Sequence, residues 1–217
     1  MPRERRNFTR ITGIKDPSLI VIATEGQMTE QQYFAGLQSK CEASSSKIHI
    51  KVLEARNSEH SAPKFVLAQL NDYKRYYGLN SNDELCMVID RDKQSWETAE
   101  IAHMASECDK KQFLFALSNP CFEIWLLLHL TAIEEYTETE KAALLSNRND
   151  HLKKEVRRLL GSFNPSKLDF DDFWDGVAIA IERAAALDTA PQQRWSNSLG
   201  SRVYLLMQKV LAASEFH

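Results

Sequence analysis

Five carboxylates stand where an α/β protein places its chemistry. Glu25 closes an apolar run, Leu19-Ile20-Val21-Ile22-Ala23, and precedes Gly26. Asp90 and Asp92 close a second run, Leu85-Cys86-Met87-Val88-Ile89, as Asp-x-Asp. Glu30 lies one turn beyond Glu25, and Glu123 follows a third run, Phe113-Leu114-Phe115-Ala116-Leu117, through Ser118-Asn119-Pro120. Carboxylates crowded on one edge cannot all stay ionised unless something positive neutralises them. A hard divalent cation, Mg²⁺ or Mn²⁺, is the economical answer, because it takes oxygen ligands and is held by a few carboxylates together with substrate phosphates. Each piece alone has an ordinary explanation: Glu25 and Glu30 suit a helix N-terminus, and a lone Asp-x-Asp is common. The coincidence at three strand ends carries the argument.

The elements that must position these groups follow from hydrophobic pattern. Short continuous apolar runs bounded by turn residues read as strands buried on both faces, as in a parallel sheet. Ile48, Ile50 and Val52 alternate and read as a further strand. Between the strands come helical stretches: 29–43, with Tyr33, Phe34 and Leu37 on one face; one opened by Ser61-Ala62-Pro63 and stopped near Gly78; and 95–108. The alternation predicts a parallel four-stranded sheet flanked by helices, with right-handed crossovers. Ligands of such sheets bind beyond the carboxyl ends of the strands, where the carboxylates fall. From about residue 131 strand signals stop, and 138–145, 151–160, 170–187 and 202–213 read as helices, punctuated by Asn164-Pro165 and Ala190-Pro191. The expected organisation is a basic arm over 1–16, an α/β core over 17–130, and a helical C-terminal part over 131–217 packed on it.

The segment from Ser118 to His129 adds detail. Ser118 or Asn119 can cap a helix whose first position is Pro120. That helix is apolar nearly all round and should be buried. Glu123 near its start points back to the carboxylate edge, whereas His129, six residues on, lies on another face and reads as a buried, hydrogen-bonded structural histidine. Cys121 reads as packing, since no base is suitably placed. Asn119 and Lys93 are candidates to contact a phosphate oxygen. So are Arg148, Lys154 and Arg158, part of a basic stretch that also holds Lys153 and Arg157; a solvated helix surface explains that stretch equally well.

Composition bounds the rest. At 217 residues, 43% hydrophobic and of net charge −3, the chain has too much apolar content for global disorder. No apolar run reaches the roughly 18 residues of a membrane span, and the basic N-terminus is followed by no signal-like stretch. Cys41, Cys86, Cys108 and Cys121 show neither CxxC pairing nor zinc spacing and suit a reducing, cytoplasmic setting. P-loop, GxGxxG and GxSxG motifs are missing from the sequence. An aspartate phosphotransfer enzyme would place its Asp-x-Asp after the first strand, where Glu25 stands. Net acidity argues weakly against a polyanion partner, yet Arg3, Arg5, Arg6, Arg10 and Lys15 oppose only Glu4 at the N-terminus.

The glutamate-glycine after one strand and Asp-x-Asp after another resemble the Toprim arrangement of topoisomerases, bacterial primases and OLD-family nucleases. More specifically, Thr24-Glu25-Gly26-Gln27-Met28-Thr29-Glu30 with Tyr33-Phe34 resembles the EGxxTExxYF opening of the RloB-like family. Val88-Ile89-Asp90-Arg91-Asp92 resembles its second motif, and Ser118-Asn119-Pro120-Cys121-Phe122-Glu123 with Trp125 and His129 its third. Asn197-Ser198-Leu199-Gly200-Ser201 stands where the family carries an Asn-Pro-Ser-Thr-like stretch, and lacks the proline. The resemblance implies a Toprim-fold, metal-dependent nuclease of prokaryotic anti-phage defence, acting on DNA or RNA (tRNA included), often beside an ABC- or SMC-like ATPase, and away from membranes. On that footing Asp90 and Asp92 hold Mg²⁺ or Mn²⁺, Glu25 is a ligand or the general base, and Glu30 and Glu123 complete a second metal site. Lys93, beside the Asp-x-Asp pair, is placed to stabilise a developing phosphorane charge, though a solvated loop lysine explains it more simply. The alternative is a non-catalytic regulatory or interaction subunit binding metal or nucleotide. The oligomeric state stays open.

Overall fold

A computed structural model describes residues 18–44, 48–55, 62–91 and 98–213. Asp92, Lys93 and the basic arm lie outside the described residues. The first apolar run forms β1 (Ser18–Thr24), followed by α1 (Thr29–Ala43), β2 (Ile48–Val52), α2 (Pro63–Tyr76), β3 (Glu84–Asp90), α3 (Thr98–Lys111), β4 (Leu114–Asn119) and α4 (Glu123–Leu130). The second half supplies α5 (Glu138–Ser146), α6 (His151–Leu160), α7 (Asp171–Trp174), α8 (Val177–Leu187), a two-residue strand β5 (Gly200–Ser201) and α9 (Val203–Ala213).

The sheet has five strands in the order β2-β1-β3-β4-β5. The first four pair in parallel, with Ile20 opposite Glu84 and Asp90 opposite Ser118 in register. The fifth corrects the four-stranded expectation: β5 pairs antiparallel to β4, with Ser201 opposite Ser118 and Gly200 opposite Asn119. Two residues are too few to show a period, so the pattern of the C-terminal part carried no strand signal.

Because side chains alternate along a strand, each interior strand divides its apolar residues between two layers. Ile20, Ile22, Cys86, Val88 and Ala116 meet α1, α4, α6, α8 and α9 on one face. Val21, Ala23, Leu85, Met87, Ile89 and Leu117 meet α2 and α3 on the other. The first layer draws on residues from Ile20 to Val210, so the two halves of the chain share it.

Helix α4 is the hub of that layer. Residues 123–129 are all buried, as expected of a helix apolar all round. Two local expectations are corrected. Neither Ser118 nor Asn119 caps α4, which begins at Glu123 with no side-chain cap bond; both are strand residues, and the Asn119–Pro120 peptide is cis. The stretch 170–187 is two helices, because Gly176 passes against the end of α4: a Cβ there would lie 3.0 Å from the His129 carbonyl oxygen and 3.1 Å from its Cβ.

His129 is the structural histidine its position suggested. Its Nδ1 lies 2.8 Å from the Trp125 carbonyl oxygen and its Nε2 3.1 Å from the Tyr33 hydroxyl. The ring of Tyr33 meets Phe122, Phe170 and His129 edge-on. Burial holds the imidazole neutral, pushing its pKa down to about 4. Tyr33→Phe strands a buried ring nitrogen, and is expected to cost about 1–2 kcal/mol, measured as a lower midpoint of denaturant unfolding with an unchanged slope.

Candidate functional site

The carboxyl ends of β1 and β3 and the first turns of α1 and α4 meet on one face of the sheet. β1 delivers Glu25, whose amide bonds to the Val88 carbonyl at 3.0 Å and whose Oε2 accepts from the Asp90 amide at 3.2 Å. The strand end is braced from α1, where Gln31 Nε2 donates to Thr24 Oγ1 at 2.8 Å and to the Leu53 carbonyl at 2.9 Å. Gly26 leaves the space that Glu30 fills: a Cβ at position 26 would sit 2.0–2.2 Å from the Glu30 carboxylate. α4 brings buried Glu123, whose Oε1 lies 3.5 Å from Thr29 Oγ1.

Asp90 takes the centre. Its Oδ1 is shut off from solvent and accepts no hydrogen bond from the described residues. Burial foremost, then the negative charges of Glu30, Glu123 and Glu25, hold its pKa well above the carboxylate range. Glu30 is raised to about 7, again by burial first and then by Glu123 and Glu25. The structure therefore brings Glu25, Glu30, Asp90 and Glu123 within mutual electrostatic reach. Asp92 lies outside the described residues. No set of three or more His, Cys, Asp and Glu among the described residues forms a ready cation cage.

A basic group reaches the cluster from an unexpected quarter. Lys153 of α6 places Nζ 3.9 Å from Glu123 Oε1 and 3.4 Å from Asp150 Oδ1. Its neighbours do less: Arg148 and Lys154 are exposed, and Arg158, also exposed, pairs with Glu155 at 2.7 Å. The basic run was visible in sequence, but which of its members turns inward depends on how α6 packs against α4.

The other residues singled out hold structure. Asn119 Nδ2 donates to the Ser198 carbonyl at 2.9 Å, and Ser118 Oγ lies 2.8 Å from Ser201 Oγ. These bonds seat the segment 197–201 against the strand ends, a placement its sequence did not reveal. Arg194 pairs with Asp109 at 3.0 Å. Cys121 accepts from Asn147 Nδ2 at 3.3 Å, and burial pushes its thiol up, away from the thiolate a nucleophile needs. Lys93 falls outside the described residues.

The donors gathered at the strand ends are hard oxygens, and one of them, Asp90 Oδ1, is buried without a partner. Hard oxygens are the donor type that Mg²⁺ or Mn²⁺ takes, although among the described residues they are not drawn into a ready cage. The architecture defines an α/β protein with an acidic cluster at the carboxyl edge of its sheet. The chain belongs to the RloB-like family, whose model (RloB-like protein) matches residues 20–210. No curated protein and no solved structure matches it. No helix among the described residues is long and apolar enough to cross a membrane.

The raised carboxyls make stability fall with pH. A glutamate that ionises near 4.5 when unfolded and near 7 at position 30 binds a proton on folding between those values. Without divalent cations, the contribution of Glu30 to stability is fully present below pH 4.5 and is lost as pH rises through 7, a change on the order of 3 kcal/mol. Glu30→Gln is expected to remove most of that slope, so that at pH 8 in EDTA it outlasts the wild type in denaturant. Equal or lower stability at pH 8 would show that Glu30 is not strained as described.

Proposed function

We propose that the protein is a Toprim-type, metal-dependent nuclease that hydrolyses phosphodiester bonds of DNA or RNA, tRNA included. The observation that carries this reading is the partnerless Oδ1 of Asp90, buried among Glu25, Glu30 and Glu123. A protein keeps so costly an arrangement when a ligand relieves it. Glu25, Glu30, Asp90 and Glu123 would hold Mg²⁺ or Mn²⁺, with Asp92 from the adjoining position. When bound, the cation supplies Lewis-acid stabilisation of charge on the phosphoryl oxygens and eases ionisation of a water.

The chain's own residues then divide the remaining work. Glu25, held by the Asp90 amide, orients the strand ends as a ligand or takes the proton from attacking water. Lys153 offsets charge at Glu123 and presents an ammonium beside the cluster. Exposed Arg148, Lys154 and Arg158 are groups able to follow a backbone. Asn119 fixes the floor of the edge through Ser198 rather than reaching outward. Family membership supports a role in anti-phage defence beside an ABC- or SMC-like ATPase in the cytoplasm.

The test is cleavage of DNA, tRNA and other RNA by purified protein with Mg²⁺ or Mn²⁺, against EDTA. Glu25→Gln and Asp90→Asn are expected to abolish cleavage with the circular-dichroism spectrum unchanged. Full activity in both variants overturns the site. Cation binding without turnover, even with the ATPase present, would make the chain a regulatory subunit instead. Gly26→Ala is a finer probe, because the atoms nearest the new methyl are those of the Glu30 carboxylate, the far end of a flexible side chain. It is expected to fold normally while weakening cation binding by calorimetry.

A further inference from the structure

Arg91 follows Asp90 directly, yet serves the opposite face of the sheet. It is 7% exposed, and its amide bonds to the Ser118 carbonyl at 2.7 Å, so its backbone is fixed at the strand end. Side chains alternate here as along any strand. Asp90 follows Cys86 and Val88 toward the carboxylates, and Arg91 follows Met87 and Ile89 toward the layer that Trp195 packs against. Its Nη2 donates to Asn197 Oδ1 at 3.2 Å, and its Nε is buried with no acceptor among the described residues. Trp195, two residues before Asn197, also has a buried N–H with no acceptor. Gln193, Arg194, Trp195 and Asn197 line a surface cleft at this place.

The guanidinium of Arg202, 6% exposed, is far better provided for: Nε and Nη2 fork onto Asp188 at 2.9 and 3.0 Å, Nη2 also donates to the Ala190 carbonyl, and Nη1 donates to the Gln193 carbonyl. Arg91 is as buried, and no carboxylate lies within ion-pair distance among the described residues. A buried cation with a neutral partner and an idle N–H is costly in isolation. A guanidinium fork and an indole N–H are donors only, so each calls for an acceptor, and for the guanidinium the matching ligand is an anion with several oxygens.

We propose that Arg91 and Trp195 form a phosphate-binding subsite of a nucleic-acid strand that crosses the end of β3. This rests on the nuclease reading. One phosphate of the strand faces the carboxylate side, and a neighbouring phosphate is held by Arg91 on the other side. The sheet edge thereby separates the group that is cut from the group that is gripped, and Arg91 is a binding residue rather than a catalytic one.

The experiment measures binding apart from cleavage. Full-length protein in EDTA is titrated into labelled single-stranded DNA and RNA oligonucleotides at several salt concentrations. Arg91→Gln is expected to weaken binding about tenfold, the loss of one charge-assisted phosphate contact, and to lower the log–log salt slope by about 0.7. Trp195→Phe keeps the ring, removes the N–H, and is expected to weaken binding several-fold. In the absence of oligonucleotide, Arg91→Gln should melt at the same temperature as the wild type or higher, because a poorly partnered buried charge has gone. Unchanged affinity and slope in Arg91→Gln overturn the proposal, as does a wild type that binds neither oligonucleotide. A lower melting temperature in Arg91→Gln, with Trp195→Phe binding normally, makes Arg91 a strut to Asn197 and also overturns it. If oligonucleotide binds through Arg91 but is never cut with Mg²⁺, the nuclease reading falls and this subsite stands.

Discussion

An acidic group with one oxygen that water cannot reach sits at the end of the central strand, and the surrounding structure is organised by it. Asp90 Oδ1 has neither solvent nor a hydrogen bond, and three further carboxylates lie within its field. Repulsion of this kind works against folding, so the cluster survives because the layers on both faces of the sheet outweigh it. The details around it are accommodations. Position 26 carries no side chain, because the Glu30 carboxylate occupies that space. Glu123 is delivered by a helix buried on every side, which leaves the carboxylate little freedom to swing away. A basic side chain that meets the cluster, Lys153, does so from the margin at 3.9 Å.

The second organising element is the return of the chain to the sheet. β5 is only two residues long, yet it closes the edge of β4 and is bonded through both Ser118 and Asn119. An uncovered strand edge is a template for unwanted pairing, and here it is covered at the end where the site lies. The same segment carries Asn197 to Arg91 and places Trp195 on the face opposite the carboxylates. A polar strand end thus has a charge of each sign on its two sides.

Much of this was legible in the residues. The four parallel strands are continuous apolar runs ending in turn residues, and the helices between them carry strong apolar faces, so pattern alone located both. The carboxylates at the strand ends were legible for the same reason: a parallel sheet makes the ends of its strands neighbours. What pattern misses depends on tertiary contact. β5 is too short to have a period. Gly176 breaks an otherwise helical stretch because the His129 backbone passes close, a contact no local rule anticipates. Ser118 and Asn119 look like helix caps beside a proline, but the strand runs through them and their side chains face the returning segment. Lys153 differs from Lys154 only in the direction that packing gives it. Arg91, between two aspartates, reads as a spacer until its burial is known.

The shared apolar layer has a bearing on how such a chain can be inherited. Leu152 and Val156 of α6, Phe173 of α7 and Val177 of α8 lie in the same layer as Ile22, Val88 and Trp125, and Lys153 touches Glu123 across it. A crossover near residue 130 would separate the strand ends from the helices that shape them. The acidic edge cannot then travel between lineages as a cassette of some 110 residues.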